Sequence, residues 1–246
     1  MNTVLVLGRK SNSTRILIAE LKSLGEKVIW IEEKRDDKFT LLRKRIFKYG
    51  FFTVLSQIMF MVYSRILTLK SRERIEDILK EYQPYRSLES VAKFKDINSI
   101  EAIKLINEKS SKLIILSGTR IISDTFLKNV STPVVNIHAG ITPLYRGVHG
   151  GYWALVNKEK NNFGSTIHYI DEGIDTGSVI SYSYPELTSK DNFVTYPLIQ
   201  QKAAAKSIGK LIPRIVNRES FVNNIPECSK LWTHPTIFEY FRNGVK

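Results

Sequence analysis

Asn136 and His138 flank Ile137 at the end of a short apolar run, and Asp175 follows Asn136 by 39 positions inside the acidic stretch Asp171-Glu172-Gly173-Ile174-Asp175-Thr176-Gly177. A carboxamide and an imidazole at a strand end can donate hydrogen bonds and move a proton, while residues 171–177 form an acidic, glycine-bearing loop. If residues 134–138 form a strand, its period of two sets the Asn136 and His138 side chains on one side. Buried there, both need partners, because an unsatisfied amide or imidazole is costly. A strand-end polar pair satisfied by nearby backbone is the competing reading, and for residues 171–177 an acidic turn between strands. Neither segment decides alone.

Placing these groups requires a sheet. Val4 to Leu7 reads as a buried strand, Ser13 to about Leu24 as a helix capped by Ser13 and stopped by Gly25, and Lys27 to Ile31 as a second strand. This βαβ opening predicts an α/β fold, a Rossmann-like, mostly parallel sheet with covering helices. There is no G-x-G-x-x-G, so no dinucleotide site is expected at the first turn. The runs Lys112 to Leu116 and Val134 to Ile137 suit central parallel strands. Their carboxyl ends carry Ser117-Gly118-Thr119-Arg120 and His138-Ala139-Gly140, and ligands of open α/β sheets bind outside such ends.

Residues 39–82 read as a helical insertion broken near Leu69 to Ser71 and ended by Pro84; a strand around Ser90 to Phe94 and a helix from about Asn98 to Lys109 follow. Within the insertion, Phe47, Phe51, Leu55, Ile58, Val62 and Ile66 share one helical face. The expected role is docking on the core; a membrane-surface or subunit contact is the alternative, since basic residues flank the face. After Gly164, Ser165 to Ile170 and Ser178 to Tyr184 read as strands around the acidic loop. A long helix starts near Tyr196 with Thr195 as cap and buries Leu198, Ala205, Ile208, Ile212 and Ile215. These elements make one domain over 1–217. A tail over 218–246, bearing Trp232, Pro235, Phe238 and Phe241, is expected to pack back on it.

With 43% hydrophobic and 25% charged residues over 246 positions, the chain is globular rather than disordered. The net charge of +13 favours an anionic partner without choosing among phosphate, nucleic acid and acidic lipid. Arg43, Lys44, Arg45 and Lys48 concentrate part of it, as a solvated surface or as a binding patch. The lone Cys228 excludes an internal disulfide and a cysteine zinc cluster. The start MNTVLVLGRK lacks a signal-peptide pattern, so a cytoplasmic location is expected.

The segments GITPLYRGVHGGYWAL (residues 140–155) and GSTIHYIDEGIDTGSVI (residues 164–180), joined to Asn136-Ile137-His138, resemble the 10-formyltetrahydrofolate-dependent formyltransferase family. That family's signature is Asn-x-His, then Pro-x-aromatic-basic-Gly, then an Asp-x-Gly-x-Asp-x-Gly-like loop. The likeness is dense over residues 112–184 and thinner from residue 1 and on to about 217. It implies Asn136, His138 and Asp175 as catalytic residues. Asn136 and a protonated His138 would donate to the oxyanion, His138 would move protons, and Asp175 would orient and charge the imidazole. It also implies a folate pocket of Thr119, Arg120, Ile121 and Ile122 beside the pterin, Asp171, Glu172, Gly173 and Ile174 across it, and Gly140, Ile141, Thr142 and Pro143 near the folate tail. The chemistry requires no metal.

Known acceptors in this family are initiator methionyl-tRNA, glycinamide ribonucleotide and nucleotide-linked amino sugars. Only about 30 residues follow the long helix, too few for the tRNA enzyme's added barrel. The loop Gly8 to Asn12 keeps one glycine of the ribonucleotide enzyme's phosphate segment. The wording of residues 140–155 resembles bacterial sugar N-formyltransferases, so a nucleotide-linked amino-deoxysugar used in surface polysaccharide synthesis is the expected acceptor. Formyltetrahydrofolate hydrolysis and a noncatalytic anion- or membrane-binding module are the rival functions, and a homodimer is left open. His168 reads as structural, Arg146 as structurally paired or facing an acceptor anion, and His149 and Trp153 as bordering the acceptor or packing a loop. His234 has no assigned place.

Overall fold

Strands form where β-branched runs can be covered on both sides, and helices where an apolar stripe faces them. A computed structural model describes residues 3–34, 37–85, 87–219 and 228–245. In chain order, β1 (Thr3–Gly8), α1 (Asn12–Ser23) and β2 (Lys27–Glu33) make the expected βαβ unit. Next come α2 (Lys38–Tyr49), α3 (Phe51–Lys70), α4 (Arg72–Leu79), β3 (Ala92–Phe94), α5 (Ile100–Glu108), β4 (Leu113–Ser117), α6 (Asp124–Asn129) and β5 (Val134–His138). The remainder is β6 (Arg146–Gly147), α7 (Gly150–Val156), β7 (Ser165–Tyr169), β8 (Val179–Ser183), α8 (Tyr196–Val216), β9 (Leu231–Trp232) and α9 (Ile237–Asn243).

The main sheet runs β3-β2-β1-β4-β5-β7-β8, parallel through β5 and antiparallel beyond it. Every residue of β1 and β4 is buried. Alternation splits the core: Val4 and Val6 pack with residues of α1 and α8, while Leu5 and Leu7 pack on the other face with α5 and Phe126. All five stripe residues of α8 are buried, as their spacing predicts.

Several local readings are corrected. The cap of α1 is Ser11, whose backbone is extended (φ −151°) and whose hydroxyl accepts from the Thr14 N–H at 3.2 Å; Ser13 already lies inside the helix. Thr195 precedes α8 but makes no side-chain cap, because its hydroxyl is engaged with Asp191 and Asn192. The insertion breaks at Ser71 and also at Gly50 (φ +83°), where the unbroken apolar pattern hid the turn between α2 and α3.

The largest correction concerns α3. The predicted stripe of Phe47, Phe51, Leu55, Ile58, Val62 and Ile66 faces solvent, and the side that docks holds Val54, Ser56, Gln57 and Phe60. The helix is apolar on both sides, so hydrophobic spacing could not choose between them. Polar anchors help fix the choice: Gln57 donates to the His234 carbonyl at 2.7 Å and accepts from Arg45 at 2.6 Å. Phe60 packs with ring centroids 4.8 Å from both Phe193 and Tyr240. In the tail, Tyr240 is the buried residue of α9, while Phe238 and Phe241 are exposed. Residues 220–227 of the predicted tail lie outside the described residues.

Candidate active site

β5 delivers Asn136 and His138 to the carboxyl edge of the sheet, and the loop after β7 brings Asp175 to them in a left-handed backbone conformation (φ +52°). His138 Nδ1 lies 3.3 Å from Asp175 Oδ2, and Asn136 Nδ2 donates to Asp175 Oδ1 at 3.4 Å. The third contact on the carboxylate is the Gly147 N–H, which donates to Oδ2 at 2.9 Å. Arg146 donates to the Ile174 carbonyl at 3.2 Å and so clasps the loop that carries Asp175. The three residues named from sequence meet.

His138 Nε2 lies 2.7 Å from the Tyr145 carbonyl. Only the doubly protonated ring can donate at both nitrogens, yet burial pulls its pKa below the ordinary 6.5 against the opposing pull of Asp175 and that carbonyl. Burial pushes the Asp175 carboxyl up, but the hydrogen bond from His168, the nearby imidazoles and the Gly147 N–H hold it at about 2.

His168 was read as structural and is a fourth member of the cluster. Its Nε2 lies 3.3 Å from Asn136 Nδ2 and 3.5 Å from Asp175 Oδ1, and its Nδ1 lies 2.8 Å from the Tyr169 carbonyl. The signal is the antiparallel register that sets His168 opposite Asn136 across β5 and β7. Two strands read singly do not reveal it.

A cleft of about 580 Å³ opens over this cluster. Thr119, Arg120, Ile121, Ile122, Asp171, Gly173 and Ile174 line it as expected, together with apolar Leu116, Ile137 and Ile170. The loop after β4 is held from behind. Buried Glu33 accepts from the Arg120 backbone N–H at 2.8 Å and from its Nε at 2.6 Å, and Arg120 also reaches Asp96 and the Lys95 carbonyl. Arg120 thus turns its guanidinium away from the cleft and serves the loop's shape.

Glu172 and the segment Gly140, Ile141, Thr142 and Pro143 do not line the cleft. Glu172 is exposed. Gly140, Ile141 and Thr142 are buried, with the Thr142 N–H donating to Thr166 Oγ1, Thr166 donating to the Gly140 carbonyl, and Tyr182 donating to the Thr142 carbonyl. A Cβ on Gly140 would stand 2.7 Å from His138 Nε2, so this glycine supports the imidazole from beneath.

The cleft is completed by residues that the sequence left unplaced or assigned elsewhere. Arg45, Lys48, Tyr49 and Gln57 reach it from the helical insertion, and Leu231 to His234 from the tail. Trp232 stacks on Trp153 and Tyr145 and donates to the Leu144 carbonyl, which fixes the tail against the cleft. His234 Nδ1 lies 2.9 Å from His149 Nε2.

Burial, then the neighbouring ring, lowers His149 to about 3; burial, then Arg45, lowers His234 to about 4. Both pKa values are depressed on folding, so the unfolded chain takes up protons first as the pH falls. The stability from this pair is complete above about pH 6.5 and declines from there toward about pH 3. Thermal melting followed over that range should fall for the wild type and fall less steeply for His234→Gln.

The α/β fold has solved counterparts: a sugar N-formyltransferase from a Shewanella species superposes with a TM-score of 0.56 at 13% identity, over 91% of this chain and 74% of the other. The formyl transferase family model matches residues 2–212, and the chain belongs to that family. It is similar to methionyl-tRNA formyltransferase of Thermodesulfovibrio yellowstonii, 28% identical over 145 residues that cover 59% of this chain and 46% of the relative. It is also similar to phosphoribosylglycinamide formyltransferase of Bacillus subtilis, 31% identical over 140 residues, 56% of this chain and 67% of the relative. The chain thus spans less than half the length of the first relative.

Proposed function

We propose that the chain transfers the formyl group of 10-formyltetrahydrofolate to a primary amine on a phosphate-bearing acceptor, a nucleotide-linked amino-deoxysugar. The observation that carries the reading is the meeting of Asn136, His138 and Asp175 on the floor of a cleft whose volume suits a small-molecule site. Leu116, Ile122, Ile137 and Ile170 offer a flat apolar seat for the pterin, and the loops over 118–122 and 171–175 supply backbone groups for its polar edge.

As an uncharged amine attacks the formyl carbon, charge builds on the formyl oxygen. The Asn136 amide, whose Nδ2 reaches Asp175 and His168, would turn a hydrogen to that oxygen as the charge develops. A neutral His138 accepts the proton that the amine must lose, directly or through water, and the resulting imidazolium then satisfies Asp175 and the Tyr145 carbonyl together. Asp175 favours this protonation by its charge. His138 then returns the proton to the leaving folate nitrogen.

Support for a phosphorylated acceptor comes from Arg45 and Lys48 at the same cleft, with Tyr49 beside them to stack on a base. Glycinamide ribonucleotide is the second reading, favoured by the Bacillus subtilis relative. The test presents the full chain with 10-formyltetrahydrofolate and a panel of nucleotide-linked amino sugars, glycinamide ribonucleotide and charged initiator tRNA. Formylation of the amino sugars is expected. Activity confined to either other acceptor overturns the sugar assignment, and formate release independent of every acceptor overturns transfer itself.

A further inference from the structure

The helices α2 and α3 present two apolar faces, and the domain covers one. The uncovered face carries Phe51, Leu55, Ile58, Val62, Ile66 and Leu69 on successive turns. At the Gly50 corner, Phe47 is 96% exposed and Phe52 83% exposed. A helix apolar all round belongs in a core or against lipid. By length and composition α3 could cross a membrane. Its other face is pinned to the domain, however, through Gln57 on the His234 carbonyl and Phe60 against Phe193 and Tyr240, so it can lie on a bilayer but not through one.

Charge selects the occupant. No Asp or Glu occurs from Lys38 to Lys70, while Arg43, Lys44, Lys48, Arg65 and Lys70 are all exposed. A second copy docking by the same face would oppose like charges with no carboxylate between them. An anionic surface meets both demands, because apolar insertion and a polybasic patch together give stable attachment where either alone is marginal. We propose that this face docks on an anionic lipid bilayer, Phe47, Phe51 and Phe52 entering the headgroup boundary and Arg43 and Lys44 meeting lipid phosphates. Since α2 also lines the cleft through Arg45, Lys48 and Tyr49, docking holds the cleft beside the membrane surface.

The full chain is sedimented with vesicles of phosphatidylcholine and phosphatidylglycerol, and with vesicles of phosphatidylcholine alone. Binding to the anionic vesicles alone, weakening steeply with salt, is expected. The combined change Phe47→Ser, Phe51→Ser and Phe52→Ser should weaken it about tenfold or more. Its melting temperature and its formyl transfer without vesicles should match the wild type, which separates loss of docking from loss of fold. Arg43→Glu with Lys44→Glu should weaken binding by more than about tenfold, at about fivefold per basic residue. No binding to anionic vesicles, or equal binding to neutral ones, overturns the proposal. So does concentration-dependent dimerisation that the phenylalanine variant abolishes and vesicles fail to displace.

Discussion

His138→Ala should lower turnover about a thousandfold, the loss typical when a positioned proton carrier is removed, while folate affinity changes by less than about threefold. The ring sits on the buried floor, with its nitrogens turned to Asp175 and the Tyr145 carbonyl, whereas loops and apolar side chains form most of the folate seat. Turnover measured with saturating acceptor, beside equilibrium binding of an unreactive folate, separates the two effects. Intact turnover would remove His138 from the proton path. The pH profile carries the same logic. Burial holds the His138 pKa below its ordinary value, and the base must be neutral, so activity should decline only on the acid side of about pH 6.5.

Asp175→Asn is nearly isosteric, yet it should cost about a hundredfold to a thousandfold in turnover. The carboxylate has acceptors at both ends: Oδ2 toward His138 and the Gly147 N–H, Oδ1 toward Asn136 and His168. An amide must turn a donor toward one side, and whichever side that is loses its acceptor. Loss of the charge also removes a force that raises the His138 pKa, so the acid limb of the rate profile should move to lower pH. A residue with a merely structural role would lower turnover without moving that limb. Asp175 titrates at about 2 in the folded chain, so its stabilising effect is present above about pH 4 and lost as pH falls toward 2. The variant should be less stable than wild type at neutral pH, and the gap in melting temperature should close in acid.

How much of this was legible depended on whether a signal was local. β1 and β4 are buried on both faces, so their unbroken apolar runs announced a parallel sheet, and Asn136 and His138 share a side of β5 because a strand alternates. The depth of Gly140 to Thr142 was not legible because sequence gives a loop's neighbourhood but not its burial; three hydrogen bonds to Thr166 and Tyr182 hold that segment in place. His168 depended on strand register, and His234 on a tail that returns across the molecule to pair β9 with β6. The exposed stripe of α3 was read inside out because both of its sides are apolar, and the polar anchors that choose between them lie far away in the chain.

Gly147 binds Asp175 through its N–H while its neighbours pair with the tail: Arg146 donates to the Lys230 carbonyl and Val148 to the Trp232 carbonyl. Its φ of +93° and the 2.3 Å gap between a would-be Cβ and the Trp232 oxygen leave no room for another residue. The order of synthesis therefore matters. A ribosome has made all three reactive side chains by the time it passes residue 175, yet the backbone that aims the carboxylate is locked only when residues 230–232 emerge. Under the proposed function, a chain lacking residues 230–232 would carry the three side chains without the strand pairing that holds the Gly147 N–H on the carboxylate.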